Sequence, residues 1–232
     1  MPATTLPSLT NKVVVVTGAT GEVGWGIAHA ALAPGANVIL PVRTAIAESA
    51  LQEDLRHPQA SVARVDFGDE GSLATMRDET LERFGAIDHV IAPLGSWWQK
   101  GSLLDQPADE LHNVLSAYLD AQWHLVRVFA PALRASRGSY TFVTGAAGET
   151  EYIHGAGLLV VAVKAQLALS AVLRHELASE PFRINEVRIS RRIERSPRPG
   201  VIPSRVAGED LIKALQTTST GQVIRYDGRR SN

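Results

Sequence analysis

A glycine-studded turn near the start of the chain has the residue types and spacing of a phosphate-binding site. Four consecutive valines, Val13 to Val16, lead into the sequence Thr-Gly-Ala-Thr-Gly-Glu-Val-Gly. Glycine allows a tight turn and lets backbone N–H groups approach a pyrophosphate, and the start of a following helix adds a favourable dipole. A tight turn without a ligand is the alternative. We predict a dinucleotide site with contacts from one short stretch: Gly18, Thr20, Gly21, Glu22, Val23 and Gly24.

The end of the second predicted strand bears on which nicotinamide cofactor the site takes. An NAD site presents a carboxylate to the adenosine ribose at this point, whereas an NADP site presents a cation to the 2′-phosphate. The segment reads Pro-Val-Arg-Thr, with no acid, and its arginine is Arg43. A planar guanidinium matches a phosphate in charge and geometry, so we predict NADP rather than NAD. The alternative is that Arg43 is an ordinary exposed cation.

Strands and helices alternate along the chain, as they do in proteins with a parallel sheet. Strands are predicted over seven stretches: 12–17, 37–40, 61–65, 89–92, 140–144, 183–189 and 222–226. Helical patterns lie between them: 24–32, 45–56, 72–84, 108–133, 158–178 and 204–215. We predict an α/β fold of the Rossmann type, with a doubly wound, mostly parallel seven-stranded sheet and helices on both faces. Its ligand is expected outside the carboxyl ends of the strands, where the glycine turn lies.

Length and composition limit the remaining classes of function. A chain of 232 residues, 45% of them hydrophobic, can build one core, so we predict a single domain over residues 1–232 with an N-terminal tail at 1–10. The net charge of −1 argues against nucleic acid and membrane as partners. The chain has no cysteine, and its seven histidines show no tight ligand spacing, so no metal is expected. The lack of a secretion signal favours a cytoplasmic protein.

At this point the chain resembles the short-chain dehydrogenase/reductase family over nearly its whole length. Asp66, followed by Phe67, stands where that family keeps an acid that contacts the adenine. Residues 85–91 and 220–228 are similar to its approach to the fourth strand and to its C-terminal strand. The resemblance implies a cofactor site that also includes the residues after the fourth strand, where the family's Asn-Asn-Ala-Gly reads Ala92-Pro93-Leu94-Gly95.

The glycine turn identifies the chain as an atypical member of that family. Its Thr-Gly-x-x-Gly-x-x-Gly spacing is similar to the extended and atypical branches, whereas the commoner short branch has a glycine at position 22, where this chain has Glu22. The length nevertheless resembles the short branch, because extended members carry an additional substrate-binding part.

The catalytic half of the family pattern is largely absent from this sequence. The resemblance implies a Tyr-x-x-x-Lys pair on the helix after the fifth strand, and Lys164 matches the lysine, but Val160 takes the place of the tyrosine. The family's serine falls on Gly145, which we expect at the substrate, and its asparagine falls on Tyr118. The Pro-Gly after the sixth strand is absent as well. Only Lys164 is kept from the tetrad, and the family uses that lysine to hold the nicotinamide ribose too.

A reductase that lacks the usual tyrosine needs another proton donor, since a positioned acid contributes about 10²–10⁴ in rate. The candidates are Tyr118, on the neighbouring helix, and Tyr152 or His154, on the loop before Lys164. The alternatives are a packed core aromatic for Tyr118 and plain loop residues for the other two. For Lys164 the alternative is a lysine that extends from an apolar helix to water.

Two further regions bear on the substrate. Trp97 and Trp98 follow the fourth strand, and they either form a flat wall for an aromatic or polycyclic substrate or anchor a loop or subunit contact. Seven arginines lie between positions 183 and 205, and the region at about 188–205 is where the family carries its substrate lid. An anionic substrate would explain this charge, and a solvated loop would explain it equally.

The most apolar long stretch, 156–173, carries Lys164 and Gln166 near its middle, so we interpret it as a buried helix rather than a membrane span. In family members this helix packs against its copy in a partner subunit, and the resemblance therefore implies a homodimer or homotetramer.

Three functions of different class follow from these residues. The first, which we favour, is an NADP(H)-dependent short-chain oxidoreductase that reduces a ketone or a related small-molecule substrate with a non-standard proton donor. The second is a catalytically degenerate protein that binds the cofactor as a sensor or as a partner subunit. The third is a non-redox enzyme on the same fold, such as a cyclase, lyase or isomerase.

Overall fold

Apolar strands that are buried on both faces build the centre of the sheet, as is typical of parallel sheets. The computed structural model describes residues 6, 8–215 and 217–229. In chain order its strands are β1 Val13–Val16, β2 Asn37–Val42, β3 Ala60–Arg64, β4 His89–Ala92, β5 Ser139–Gly145, β6 Arg183–Ile189, β7 Ile193–Glu194, β8 Ile202–Pro203 and β9 Val223–Tyr226. Seven of them form one wholly parallel sheet in the order β3-β2-β1-β4-β5-β6-β9, and β7 pairs with β8 separately.

Helices cover both faces of the sheet. They are α1 Glu22–Leu32, α2 Ala45–Asp54, α3 Glu70–Phe84, α4 Glu110–Leu115, α5 Ala121–Ser136, α6 Gly157–Glu176 and α7 Ser204–Ala214. One core cluster joins α1, α2 and α7 to one face, and a second joins α3, α5 and the end of α6 to the other. This layering is that of a doubly wound α/β domain, and it confirms the predicted fold class.

The strand order brings the glycine turn next to the segment after β4. The sheet runs from β1 to β2 and β3 on one side and from β1 to β4 and β5 on the other, so the order reverses between β1 and β4. Ligands of doubly wound sheets bind at such a point, outside the carboxyl ends of the strands. Register places Val16 beside Ile91, so both segments leave the sheet at the same level.

The predicted strands are confirmed in number and position to within two residues, but two regions differ from the sequence expectation. The helix expected at 108–133 is interrupted by a π-helical turn, Ser116–Asp120, which separates α4 from α5. A π turn inserts one extra residue into the helical ladder, a local event that hydrophobic periodicity does not reveal. The other region is the segment 190–203, here called the arm, which contains the short β7–β8 ladder and contacts α1. The predicted tail lies partly outside the described residues.

Among the described residues, α6 is the one helix that is long and apolar enough to cross a membrane, by length and composition alone. Eight of its side chains are buried against the rest of the protein, and Gln166 is among them. The Gln166 amide donates hydrogen bonds to the carbonyls of Leu94 and Tyr118, at 3.1 and 3.3 Å. One side of this helix is therefore packed inside the protein, and its buried polar side chain is satisfied by protein groups.

Candidate cofactor and active site

The glycine turn is tight because its backbone approaches itself and the segment after β4. Gly18 has φ +60°, and a Cβ atom there would lie 2.3 Å from the carbonyl oxygen of Pro93. A Cβ at Gly24 would lie 2.3 Å from the Gly18 carbonyl oxygen. The Gly21 N–H donates to that same oxygen at 2.9 Å. Only glycine is compatible with these distances, so the turn is a cradle of backbone groups.

The N-terminus of α1 fits an anionic group. Gly21 is the N-cap residue and supplies no side-chain hydrogen bond, so the first N–H groups of the helix are left for another acceptor. Glu22 begins the helix where the short branch of the family has glycine. Its carboxylate accepts from the Arg195 N–H and, at 3.2 Å, from the Ser204 hydroxyl. The carboxylate is therefore held by the arm and α7.

The residues expected at the adenosine end lie at the adjoining strand ends. Arg43 directly follows β2, is exposed and has no ion-pair or hydrogen-bond partner among the described residues. Asp66, after β3, is exposed, and its Oδ1 accepts from the Gly68 N–H at 2.8 Å. Phe67 is buried, and its carbonyl contacts Nδ1 of His124 at 2.9 Å. A free guanidinium and a partly free carboxylate are thus available for a ribose phosphate and a base.

The segment after β4 is fixed by buried amides. The Ala92 carbonyl accepts from the Gln122 amide at 2.9 Å, and the Gln122 oxygen accepts from the Tyr140 hydroxyl at 2.7 Å. Pro93 supplies a carbonyl but no N–H. The buried hydroxyl of Thr17 has no hydrogen-bond partner among the described residues. The cofactor edge therefore contains an unsatisfied polar atom beside its glycine turn.

The reacting end of the candidate site, where the family carries its tyrosine and serine, has neither side chain in this protein. Val160, in the place of the tyrosine, is buried. Gly145, in the place of the serine, has room around it, because an added Cβ would meet only the Ala147 nitrogen, at 3.9 Å. The neighbouring Thr144 hydroxyl donates to the buried Glu186 carboxylate at 2.8 Å. Thr144 is therefore committed to the core and cannot replace the serine in this arrangement.

Tyr118 packs inside the π-helical turn. Its ring is buried against Gly95, where a Cβ would lie 2.3 Å from ring carbon Cε1. Its hydroxyl accepts from the Ser96 N–H at 2.9 Å and donates to the Ser96 carbonyl. Burial raises the pKa of this hydroxyl above its usual value. The geometry favours the packed-aromatic interpretation of Tyr118, since both its hydrogen-bonding positions are occupied by the loop that it supports.

Lys164 lies one turn after Val160 on α6, and its ammonium is free. The residue is exposed and has no ionic or hydrogen-bond partner among the described residues. A free cation on this helix can bind ribose hydroxyls, and it can equally extend to water.

Tyr152 and His154 stand on the loop before α6. The Tyr152 hydroxyl lies 3.5 Å from Nδ1 of His154, and both residues are exposed. The loop is tied to the segment after β4, because the Gly101 N–H donates to the Gly155 carbonyl at 3.0 Å. The structure thus brings these two candidates together and separates them from Tyr118, which belongs to the buried cluster beneath.

The two tryptophans have different settings. Trp98 is buried in a small cluster with Tyr118 and Val114, and its indole N–H donates to Glu110. Trp97 is 67% exposed. The loop-anchor interpretation therefore describes Trp98, and the substrate-wall interpretation stays open for Trp97.

The arginines of the region 183–205 are mostly paired within the fold. Arg188 forms ion pairs with Glu186 at 2.7 Å and Glu149 at 2.6 Å. Arg192 and Arg198 both pair with Glu194. Four of the seven arginines, Arg188, Arg192, Arg195 and Arg198, therefore form ion pairs within the fold, which favours a structural role for these four over an open anion site.

Sequence reasoning missed two buried polar groups that shape the site. Glu186 has no exposed surface and holds Thr144, Ser170 and Arg188, and Gln122 fixes the last residue of β4, Ala92. Both interrupt apolar patterns, Glu186 in the middle of β6 and Gln122 on the buried face of α5. A polar residue at a core position is the signal that could have identified them.

Comparison with known proteins agrees with the predicted fold class and family. Residues 18–190 match the profile of the family described as Enoyl-(Acyl carrier protein) reductase. A cis-2,3-dihydrobiphenyl-2,3-diol dehydrogenase of Pseudomonas putida is 31% identical over 230 residues, which cover 94% of this chain and 76% of the relative. An L-fucose dehydrogenase of Oryctolagus cuniculus is 31% identical over 144 residues, which cover 62% of this chain and 50% of the relative, so the match spans half the length of that protein.

A solved structure has the same fold. It is an alcohol dehydrogenase of the archaeon Thermococcus sibiricus complexed with 5-hydroxy-NADP, with a TM-score of 0.80 and 22% identity over 95% of this chain and 99% of the other. At that identity the likeness shows the fold alone. The family profile, in contrast, covers well over half of the sequence, and the protein belongs to the short-chain dehydrogenase/reductase family.

Proposed function

We propose that the protein is an NADP(H)-dependent oxidoreductase that reduces a ketone or a related small molecule. Family membership implies a nicotinamide cofactor. One observation carries the choice of NADP: Arg43 is exposed and unpaired at the end of β2, among the described residues, and no acid stands beside it. The archaeal alcohol dehydrogenase, whose structure was solved in complex with an NADP derivative, is in accord with this choice.

The residues present fit such a cofactor end to end. The α1 N-terminus would hold the pyrophosphate, Arg43 the 2′-phosphate and Asp66 the adenine. Lys164 would hold the hydroxyls of the nicotinamide ribose. The bound nicotinamide supplies the hydride that reduces a carbonyl carbon.

We assign the proton to Tyr152. A carbonyl oxygen that becomes an alkoxide needs a donor within hydrogen-bond reach. The Tyr118 hydroxyl is engaged by Ser96, whereas Tyr152 is exposed and its hydroxyl lies 3.5 Å from Nδ1 of His154. Tyr152 would give its proton to the carbonyl oxygen, and His154 would return a proton to the phenolate.

A second candidate function is cofactor binding without redox chemistry. The observation that favours it is the packing of the reacting end, where Val160 is buried and the hydroxyls of Thr144 and Tyr118 are bonded to other groups. Such a protein would bind NADPH and leave it unoxidised.

Nicotinamide fluorescence separates the two functions. NADPH and NADH are titrated onto the purified protein, and the signal is then followed in time with a broad panel of ketones, quinones and enones. We expect NADPH-selective binding and a substrate-dependent loss of signal. Binding without turnover would support the second function, and no binding of either cofactor would contradict the assignment of the glycine turn and Arg43.

We further propose that a second copy of the chain covers an apolar face of α5 and α6. Trp123, Val161 and Val172 on these helices are 40%, 43% and 51% exposed, respectively. Large apolar side chains grouped on neighbouring helices are typical of subunit contacts. Sedimentation velocity should show a dimer or tetramer that W123E dissociates, while L104E, at a side chain that is 96% exposed elsewhere, leaves it intact. A monomeric wild-type protein would contradict the proposal.

A further inference from the structure

Exposed and buried side chains alternate along two loops, the segment after β4 and the loop before α6. In the segment after β4, Trp97 and Gln99 are exposed and Trp98 between them is buried. In the loop before α6, Tyr152 and His154 are exposed, and Ile153 between them packs against the cluster that contains Trp98. By burial, each loop therefore has an inner, packed side and an outer, exposed side.

The two loops are paired at one point, Gly101. The Gly101 N–H donates to the Gly155 carbonyl at 3.0 Å, and Gly101 forms a parallel bridge with Ala156. This pairing fixes the outer faces side by side. We name the outer residues Trp97, Gln99, Tyr152 and His154 the aromatic platform.

Gln99 links the two halves of the platform through its side-chain amide. Its oxygen accepts from the Trp97 indole N–H at 3.2 Å, and its nitrogen donates to the His154 carbonyl at 2.8 Å. The His154 ring, in turn, meets the Tyr152 hydroxyl at 3.5 Å and lies edge-on to the Tyr152 ring, with centroids 6.4 Å apart. A continuous chain of contacts therefore runs from the exposed indole to the proposed proton donor.

From this chain of contacts we propose that the platform binds a flat aromatic ketone, with Gln99 as the positioning residue. The proposal rests on the proposed reductase function and names its substrate class. The exposed indole supplies a flat apolar surface against which an aromatic ring stacks, and the Tyr152 hydroxyl supplies one hydrogen bond to a carbonyl. A saturated ring of the same size lacks the flat π surface and gains less from the indole.

The test is a binding measurement that needs no turnover. Affinities for 2-acetonaphthone and its saturated counterpart 2-acetyldecalin are measured by calorimetry, with and without saturating NADP⁺. The variants are W97A, Q99A and Q106A. Gln106 is the matched control, since its amide also braces this loop, on the carbonyls of Lys100 and Ser102, but does not contact the platform.

We expect the wild type to bind the aromatic ketone more tightly than the saturated one. In W97A the ratio of these two affinities, the aromatic preference, should fall by about 3- to 10-fold. Q99A should lose about 2- to 5-fold, because one hydrogen-bonded link on each side is removed. Q106A should keep the wild-type preference. Equal affinity for both ketones, or a preference that W97A leaves unchanged, would overturn the proposal.

Ketone calorimetry and the NADPH fluorescence experiment together separate this proposal from the proposed function. Aromatic preference without NADPH binding would contradict the reductase and leave the platform standing. NADPH oxidation with no aromatic preference would support the reductase and overturn the platform.

Discussion

The phosphate end and the reacting end of the site have diverged to different degrees. The proposed phosphate end, the glycine turn and the start of α1, is made of backbone groups, and the Glu22 side chain contacts Arg195 and Ser204. The reacting end depends on side-chain hydroxyls in other family members, and this protein has Val160 and Gly145 at the two positions that supply them. A site built from backbone tolerates changes of side chain, whereas a site built from side chains is lost when they change.

The largest effect is expected at the reacting end, where the variants Y152F and Y118F are compared. Y152F is expected to lower kcat for carbonyl reduction by about 10²–10⁴-fold, because the proton donor is removed, and to leave the Kd of NADPH unchanged. Stopped-flow oxidation of NADPH gives both quantities. Y118F is the control: it loses the hydrogen bonds to Ser96 and should cost about 1–3 kcal/mol of unfolding free energy with little change in the pH profile of kcat. Full turnover in Y152F would remove Tyr152 from the mechanism.

At the phosphate end the corresponding change is G24A. Its Cβ would lie 2.3 Å from the Gly18 carbonyl oxygen, so the turn must open, and we expect the Kd of NADPH to rise by about 100-fold. G26A is a matched control on the same helix, because its Cβ would lie 1.9 Å from the Ser204 carbonyl oxygen, at the contact with α7. It should lower Tm, while the folded fraction binds NADPH normally. Equal loss of affinity in both variants would mean that G24A acts through stability.

Cofactor choice tests the adenosine side of the phosphate end. R43A should weaken NADPH binding by about 10- to 100-fold and leave NADH binding unchanged, since only NADPH carries the 2′-phosphate. R56A removes a cation near the other end of α2, where Arg56 lies 3.7 Å from Glu53, and should change neither affinity. Fluorescence titration of the two cofactors measures the ratio. A parallel loss for NADPH and NADH in R43A would show that the arginine does not read the phosphate.

Acid is expected to destabilise the fold through a histidine at the start of the central strand β4, at the opposite end of the strands from the glycine turn. Burial lowers the pKa of His89 to about 4, with an opposing contribution from Asp88. The folded pKa lies below the usual 6.5, so the unfolded chain takes up the proton first as the pH falls. The contribution of His89 to the free energy of unfolding is therefore complete above pH 6.5. It decreases between pH 6.5 and 4, by at most about 1.4 kcal/mol per pH unit.

Urea unfolding at several pH values measures this slope. H89Q should flatten it and leave the pH dependence of kcat that belongs to the reacting end. An unchanged slope would mean that other groups cause the acid sensitivity.

Much of the fold was predictable because periodicity is a local property. Short apolar runs, separated by helical patterns, predicted the positions of all seven strands of the sheet. For β4 and β6 the predicted and observed bounds are the same. The break in the helix at Ser116–Asp120 was not predictable, since Tyr118 enters the core through a contact with Gly95, 23 positions earlier in the chain. The pairing of the arm with α1 is equally non-local, because it depends on Glu22 meeting Arg195.

The sequence by itself determined the fold class, the glycine turn and the absence of the usual tyrosine and serine, because these are statements about residue types at fixed spacings. Tertiary structure decided which of the remaining groups are free to act. Tyr118 and Tyr152 carry the same hydroxyl, but one is enclosed by Ser96 and the other is exposed beside His154. Burial and hydrogen-bond partners arise from contacts between distant segments, and no local pattern encodes them.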